Sequence, residues 1–246
     1  MNLRWKKILQ LLEENGEMTI KALSDALNVS AMTIHRDLDA LQDENFLYKK
    51  RGAAVFINQP DREKNGFYSD EKRAIGRYAA SLVKPGQSIL FDNSTTAIEV
   101  AKCLSGIPKL TFYTTNLEIA NIVASYPDTV LYCSGGFYFK DSNGFLGSQA
   151  EAFVESVQAD ICFIGASGID INCGITCPYP MHVSLQQKII QSSDYRILTA
   201  DHSKFGKRAL EKFSEIGNID RIITDSGISA ADYEKYSKHI TIDIAT

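Results

Sequence analysis

The stretch that decides how this chain is organised is Thr19–Ala54, TIKALSDALNVSAMTIHRDLDALQDENFLYKKRGAA. Ile20, Leu23 and Leu27 recur at helical spacing behind Thr19, whose hydroxyl suits an N-cap. Asn28-Val29 makes a turn, and Ser30 caps a further helix. In that helix Ile34, Leu38 and Leu41 define a buried face, leaving Ala31, Met32, Thr33, His35, Arg36 and Asp39 mostly on the other side. Beyond it, Phe46–Tyr48 and Ala54–Ile57 read as two short strands joined around Arg51-Gly52, where Gly52 permits a positive φ. Helix, tight turn, a second helix displaying small, polar and basic residues, then a basic hairpin: this is the layout of a winged helix-turn-helix. In such a module the second helix enters the major groove of DNA.

Working outward, Trp5, Ile8, Leu9 and Leu12 predict one more helix with an apolar stripe, stopped at Gly16. The net charge of −4 is not that of a protein that coats DNA indiscriminately, so the signal is positional. Met32, Thr33, His35 and Arg36 are the candidates for base-edge contact, Ser30 is a further DNA-binding candidate at the helix start, and Lys49, Lys50 and Arg51 at the hairpin are placed to meet phosphates. The blander alternative is a surface helix in which Arg36 pairs with Asp37 or Asp39, beside a solvated loop.

At 246 residues, 44% hydrophobic and 23% charged, the chain has the make-up of a soluble globular protein. No apolar run approaches the roughly 20 residues needed to cross a bilayer, and the N-terminus has no signal-peptide core, so the expectation is cytoplasmic, with no membrane partner. Cys103, Cys133, Cys162, Cys173 and Cys177 are scattered and read as reduced thiols. Cys173, Cys177 and His182 fall short of a four-ligand metal set, so neither metal nor cofactor is expected.

Residues 1–57 therefore form the expected DNA-binding domain. The polar stretch 58–70, with Pro60 and Gly66, reads as a linker, and residues 71–246 as a second domain. There, strand-like runs at 88–92, 110–114, 130–133, 161–165, 196–200, 221–224 and 240–244 alternate with helix-like segments at 71–83, 96–104, 117–125, 149–157, 183–192 and 230–237. The alternation predicts an α/β domain, a mainly parallel sheet with helices on both faces.

In such folds ligands bind beyond the carboxyl ends of the strands. Polar or small residues fall at five of those ends: Asp92-Asn93-Ser94-Thr95-Thr96, Thr115-Asn116, Gly135-Gly136, Gly165 to Gly168, and Asp201 through Lys204. The first group opens a helix, where free amides and a positive dipole end suit a phosphate. Each has a plainer reading: a helix cap at Ser94–Thr96, a turn at Gly135-Gly136, a solvated Lys204.

Thr33-Ile34-His35-Arg36-Asp37-Leu38, the hairpin Lys49–Ala54, and the later segments FDNSTT, TTN, SGG and DHSKFG together resemble the DeoR family of bacterial transcriptional regulators, over nearly the whole chain. The family pattern in the helix is Thr-Ile-Arg-Arg-Asp-Leu and in the wing Arg-x-His-Gly-Gly-Ala, from which His35, Arg51 and Ala53 depart. The resemblance implies a C-terminal sensor similar in fold to ribose-5-phosphate isomerases and CoA transferases. Ser94, Thr95, Thr96 and Lys204 would hold a phosphate, and Asp92, Asn116 and Asp201 would address hydroxyls. His182 and Gln186 stand where the family commonly has a glutamate and a lysine; His182 is either at the pocket edge or a plain surface histidine.

The function expected is a transcriptional regulator, most simply a repressor of a sugar or polyol catabolic operon. Its partners would be double-stranded operator DNA and a phosphorylated sugar or related effector, and two-fold operators imply a homodimer or homotetramer. No catalytic residue is expected. The alternatives are an isomerase-like enzyme, for which Asp92, Asp170, Asp201 and His182 are available as bases, and a regulator whose second domain serves only for assembly.

Overall fold

The computed structural model describes residues 3–43, 46–56 and 68–246. They part into two compact units, Met1–Phe67 and Tyr68–Thr246. Most of the expected linker, and Ile57 of the second hairpin strand, lie outside the described residues.

In the first unit, α1 (Leu3–Asn15) is followed by β1 (Glu17–Thr19), α2 (Ile20–Leu27), α3 (Ala31–Asp43), β2 (Leu47–Lys50) and β3 (Ala53–Phe56). The three strands form an antiparallel sheet in the order β1-β3-β2. The hairpin was legible in the sequence, but β1 was not. It occupies the three residues between the Gly16 turn and the Thr19 cap, too few to show a period. Ile8, Leu9, Leu12, Leu23, Ile34, Leu38, Leu41 and Leu47 are buried together. Each such side chain stabilises the unit by about 1.5–3 kcal/mol on hydrophobic transfer alone.

The second unit opens with α4 (Ser69–Ser81), which begins two residues earlier than the sequence suggested. It continues through β4 (Ser88–Phe91), α5 (Thr95–Lys102), β5 (Thr111–Thr114), α6 (Leu117–Ala124), β6 (Val130–Cys133), β7 (Phe137–Phe139), β8 (Gly144–Leu146), α7 (Ser148–Glu155) and β9 (Ala159–Ile164). Next come β10 (Gly168–Asp170), β11 (Gly174–Cys177), α8 (Pro180–Gln191), β12 (Ser193–Thr199), β13 (Glu211–Ser214), β14 (Arg221–Asp225), α9 (Ala230–Ser237) and β15 (Thr241–Ala245).

All seven expected strands join one sheet, ordered β15-β14-β12-β9-β4-β5-β6 and parallel throughout. Alternate residues feed opposite faces. Leu90, Cys162, Leu198 and Ile222 pack with Ala150, Val154, Leu185, Ile189 and Tyr236 of α7, α8 and α9. Ile89, Phe91, Phe163, Ile197 and Ile223 pack with Ile75, Ala79, Ala97, Val100, Ile119 and Val123 of α4, α5 and α6. Burial on both faces explains why these strands read as unbroken apolar runs. The chain moves outward from β4 to β6, then returns to place β9 on the other side of β4, so the winding direction reverses between β4 and β9. At such a reversal the connections leave in opposite directions and open a crevice at the carboxyl ends.

Two small sheets were not foreseen: an antiparallel β10-β11-β13 and the hairpin β7-β8.

Candidate nucleic-acid interface and ligand site

The helix-turn-helix is set by side-chain caps. Thr19 Oγ1 accepts from the Ala22 amide at 3.1 Å, and Ser30 Oγ accepts from the Thr33 amide at 3.2 Å. Between them Asn28 takes the left-handed conformation, φ 52°, which ends α2 and turns the chain into α3. Ser30 is thus occupied in holding the helix start.

On α3, Ile34, Leu38 and Leu41 are fully buried, while Met32 is 68% exposed and His35 and Arg36 face solvent. The register is locked by Asp37, which is also buried and takes a two-point pairing from Arg4 and a bond from Trp5 Nε1 at 2.8 Å. Burial works to raise the Asp37 carboxyl, but those hydrogen bonds more than offset it and hold it below the usual carboxylate range.

Arg36 pairs with neither expected acid: Asp37 is engaged by Arg4, and Asp39 by Lys49. Among the described residues its guanidinium has no ion partner. Lys49 and Lys50 end β2 next to the hairpin tip, paired to Asp39 and Glu17, and Arg51 lies at the turn itself. Exposed pairs of this kind contribute only about 0–1 kcal/mol, so a phosphate can displace the carboxylates at small cost.

In the second unit, Asp92 joins the carboxyl ends of β4 and β9. Its Oδ1 accepts from the Ser94 amide at 2.9 Å and its Oδ2 from the Gly165 amide at 2.8 Å. The approach is close enough that a Cβ on Gly165 would lie 2.3 Å from that of Ser94, so only glycine fits. Asn93 Oδ1 accepts from Thr115 Oγ1 at 2.8 Å, and its buried Nδ2 has no partner among the described residues.

Ser94 caps α5 by accepting from the Ala97 amide at 3.2 Å, so its hydroxyl serves the helix. Thr95 and the buried Thr96 follow in the first turn. Asp201 is 0% exposed; Oδ1 accepts from the Ser203 amide and hydroxyl, whereas Oδ2 has no partner among the described residues. Lys204 lies in the same short turn, half-buried.

Several sequence candidates also have roles in the fold. Asn116 caps α6 by accepting from the Ile119 amide at 2.9 Å and donates to the Ser142 carbonyl at 3.2 Å. Gly135-Gly136 makes the turn into β7, with φ +131° at Gly136. Gly168 belongs to β10, where a Cβ would meet the Lys207 carbonyl oxygen at 2.5 Å. Asp170 holds Arg208 at 3.0 Å and two backbone amides.

His182 is no plain surface histidine. It packs edge-on against Phe139 and Tyr179, its Nε2 is buried without a partner among the described residues, and burial lowers its pKa to about 4. One turn later on α8, buried Gln186 leaves Oε1 unbonded among the described residues. Cys173, Cys177 and His182 form no metal cluster among the described residues, and burial pushes the Cys177 thiol up to about 11.

Two features escaped sequence reading. Lys72, 4% exposed on the inner face of α4, donates from Nζ to Thr95 Oγ1 at 2.9 Å. The available signal was a lysine in register with Ile75, Gly76 and Ala79. His202 bonds through Nδ1 to Asp225 Oδ2 at 2.7 Å and meets the ring of Tyr68 edge-on. The bond to Asp225 outweighs burial and raises the His202 pKa above its ordinary value.

The chain thus joins a helix-turn-helix unit to a second unit built on a doubly wound parallel sheet with polar residues at its switch point. The model of a DeoR-like helix-turn-helix domain matches residues 4–60, and that of the DeoR C-terminal sensor domain matches residues 68–226. The chain belongs to the DeoR family. It is 32% identical to the transcriptional regulator GolR of Listeria innocua, over 95% of this chain and 94% of that one. It is 31% identical to the glycerol-3-phosphate regulon repressor of Haemophilus influenzae, over 91% and 89%. Among solved structures, ribose 5-phosphate isomerase A of Methanocaldococcus jannaschii aligns with 56% of this chain and 55% of its own, at 16% identity and a TM-score of 0.42, a likeness that carries no functional argument. The protein is a DNA-binding transcriptional regulator, not an enzyme. Among the described residues no helix is long and apolar enough to cross a membrane.

Proposed function

We propose that this regulator is a cytoplasmic repressor of a sugar or polyol catabolic operon, acting as a homodimer or homotetramer on two-fold operators. Met32, Thr33, His35 and Arg36 read base edges, Ser30 holds the start of the helix, and Arg51 with Lys49 and Lys50 meets phosphates. The observation that carries the DNA reading is the division of α3, apolar and locked through Asp37 on one side and open at His35 and Arg36 on the other.

The effector is a phosphorylated sugar or polyol. Its phosphate sits at the first turn of α5 on Thr95 and Thr96, with Lys204 as counter-charge, and Asp201 Oδ2 and Asn93 Nδ2 take hydroxyls. Helix-terminal amides favour an anion there, and the two unbonded buried atoms supply one acceptor and one donor. The name of the Haemophilus relative, a glycerol-3-phosphate regulon repressor, fits an effector of this class.

The test is a thermal-shift screen of the full-length protein against phosphorylated sugars and polyols, followed by operator binding with each hit. A ligand at about 100 times its Kd stabilises by about 2.7 kcal/mol, a shift of several degrees for a domain of this size. The expected result is a small set of phosphorylated ligands that both raise Tm and change operator affinity. No hit across the panel would leave the second unit an assembly module.

A further inference from the structure

The β7–β8 hairpin is fastened to the carboxyl end of β5. The Phe145 amide donates to the Thr115 carbonyl at 2.7 Å, and the Leu117 amide to the Asn143 carbonyl at 2.9 Å. Gly144 of the hairpin lies against Asn93, one of the effector-site residues proposed above; a Cβ on it would stand 2.4 Å from the Asn93 side chain. From the same hairpin Phe139 reaches the start of α8, its ring edge-on to Tyr179 at 5.3 Å and to His182 at 5.9 Å. One short hairpin thus connects the β4–α5 loop with the first turns of α8.

The two elements it joins carry three buried polar atoms without a partner among the described residues: Ser142 Oγ in the hairpin turn, and His182 Nε2 and Gln186 Oε1 on α8. Gln186 is 8% exposed and follows His182 by four residues, which puts both on one face of the helix. Buried polar atoms left unbonded destabilise a fold, so a bound group that supplies the missing bonds accounts for them. All three groups are uncharged, since burial lowers the His182 pKa to about 4 and keeps the ring neutral. An amide oxygen only accepts, whereas a hydroxyl or a neutral imidazole nitrogen can donate or accept. A ligand hydroxyl matches this set: it donates to Gln186 Oε1 and accepts from His182 or Ser142. A carboxylate or a second phosphate would set its charge against the Gln186 oxygen, and an ammonium would be buried without a carboxylate among the three.

We propose that His182, Gln186 and Ser142 form the specificity end of the effector site, which takes an uncharged, hydroxyl-bearing end of the ligand and turns away one that carries a second charge. This rests on the phosphorylated-effector reading and deepens it: the phosphate is the ligand's only charged group.

The experiment is calorimetric titration of the full-length chain with size-matched probes: glycerol 3-phosphate against 3-phosphoglycerate, ribose 5-phosphate against 5-phosphoribonate, and fructose 6-phosphate against 6-phosphogluconate. In the pair whose length fits, the neutral-ended member should bind about tenfold or more tightly than its acid-ended partner. Gln186→Lys places an ammonium at that end and should narrow or reverse the ratio, which a merely structural glutamine would not do. Should the lysine variant fail to fold, Gln186→Met removes the acceptor at similar length and should weaken the neutral-ended probe about fivefold or more. Equal affinities within every pair, a ratio that Gln186→Lys leaves unmoved, or undiminished affinity in Gln186→Met overturns the specificity role while leaving the effector site standing. Failure of the wild type to bind any phosphorylated sugar or polyol overturns both.

Discussion

Asp92 and Gly165 face each other across the point where the sheet reverses its winding, joined by a 2.8 Å bond from the Gly165 amide to Asp92 Oδ2. The other carboxylate oxygen holds the Ser94 amide, so one side chain shapes the β4–α5 loop and ties it to the end of β9. An amide in its place puts an N–H against one of two backbone N–H donors. Asp92→Asn should cost about 1–3 kcal/mol, lower the Tm of the second unit by several degrees and impair the effector response. Denaturation melts and effector titrations of that variant check it; an unshifted Tm would mean the bridge holds nothing.

Thr95 accepts from Lys72, so its hydroxyl links α4 to α5. Thr95→Val should remove the effector response while operator affinity stays within about twofold of wild type, since nothing on α3 changes. Thr95→Ser should restore the response. Operator titrations with and without effector read both, and continued release of DNA in the valine variant would contradict the assignment.

The two partly buried histidines have opposite pH signatures. His182 is lowered from 6.5 to about 4 by burial, so the unfolded chain takes up its proton first. Its share of stability is intact above about pH 6.5 and falls as pH drops toward 4, by up to about 1.4 kcal/mol per unit. His202 is raised by Asp225, so its share is intact below about pH 6.5 and is lost as pH rises through the elevated folded value. His182→Gln should flatten the acid limb of a stability–pH curve and Asp225→Asn the neutral-to-alkaline limb. Identical curves for either variant and wild type would refute that assignment.

Much of this was legible in the chain. Ile34, Leu38 and Leu41 gave the buried side of α3 by spacing, and the central strands announced themselves because both faces are covered. What failed to show was whatever depends on a partner distant in sequence. Gly168-Ile169-Asp170 is too short for a period, and becomes a strand only because β11 lies beside it. Asn116 looks like a free polar group at a strand end until α6 is seen to begin on it. Lys49 and Lys50 read as free cations because nothing local reveals Asp39 or Glu17 beside them. Lys72 was hidden by the ordinary expectation that a lysine on a helix points to water.

The account stands most directly on Arg36, solvent-facing on α3 and without an ion partner among the described residues. The decisive measurement is selection of bound sequences from a random duplex pool by the full-length protein, followed by the affinity of Arg36→Ala for the winner. The account predicts enrichment of a two-fold-symmetric site and a loss of about 1–3 kcal/mol in the variant, with its Tm unchanged. Unaltered affinity of the alanine variant, or a pool that never converges, would contradict it.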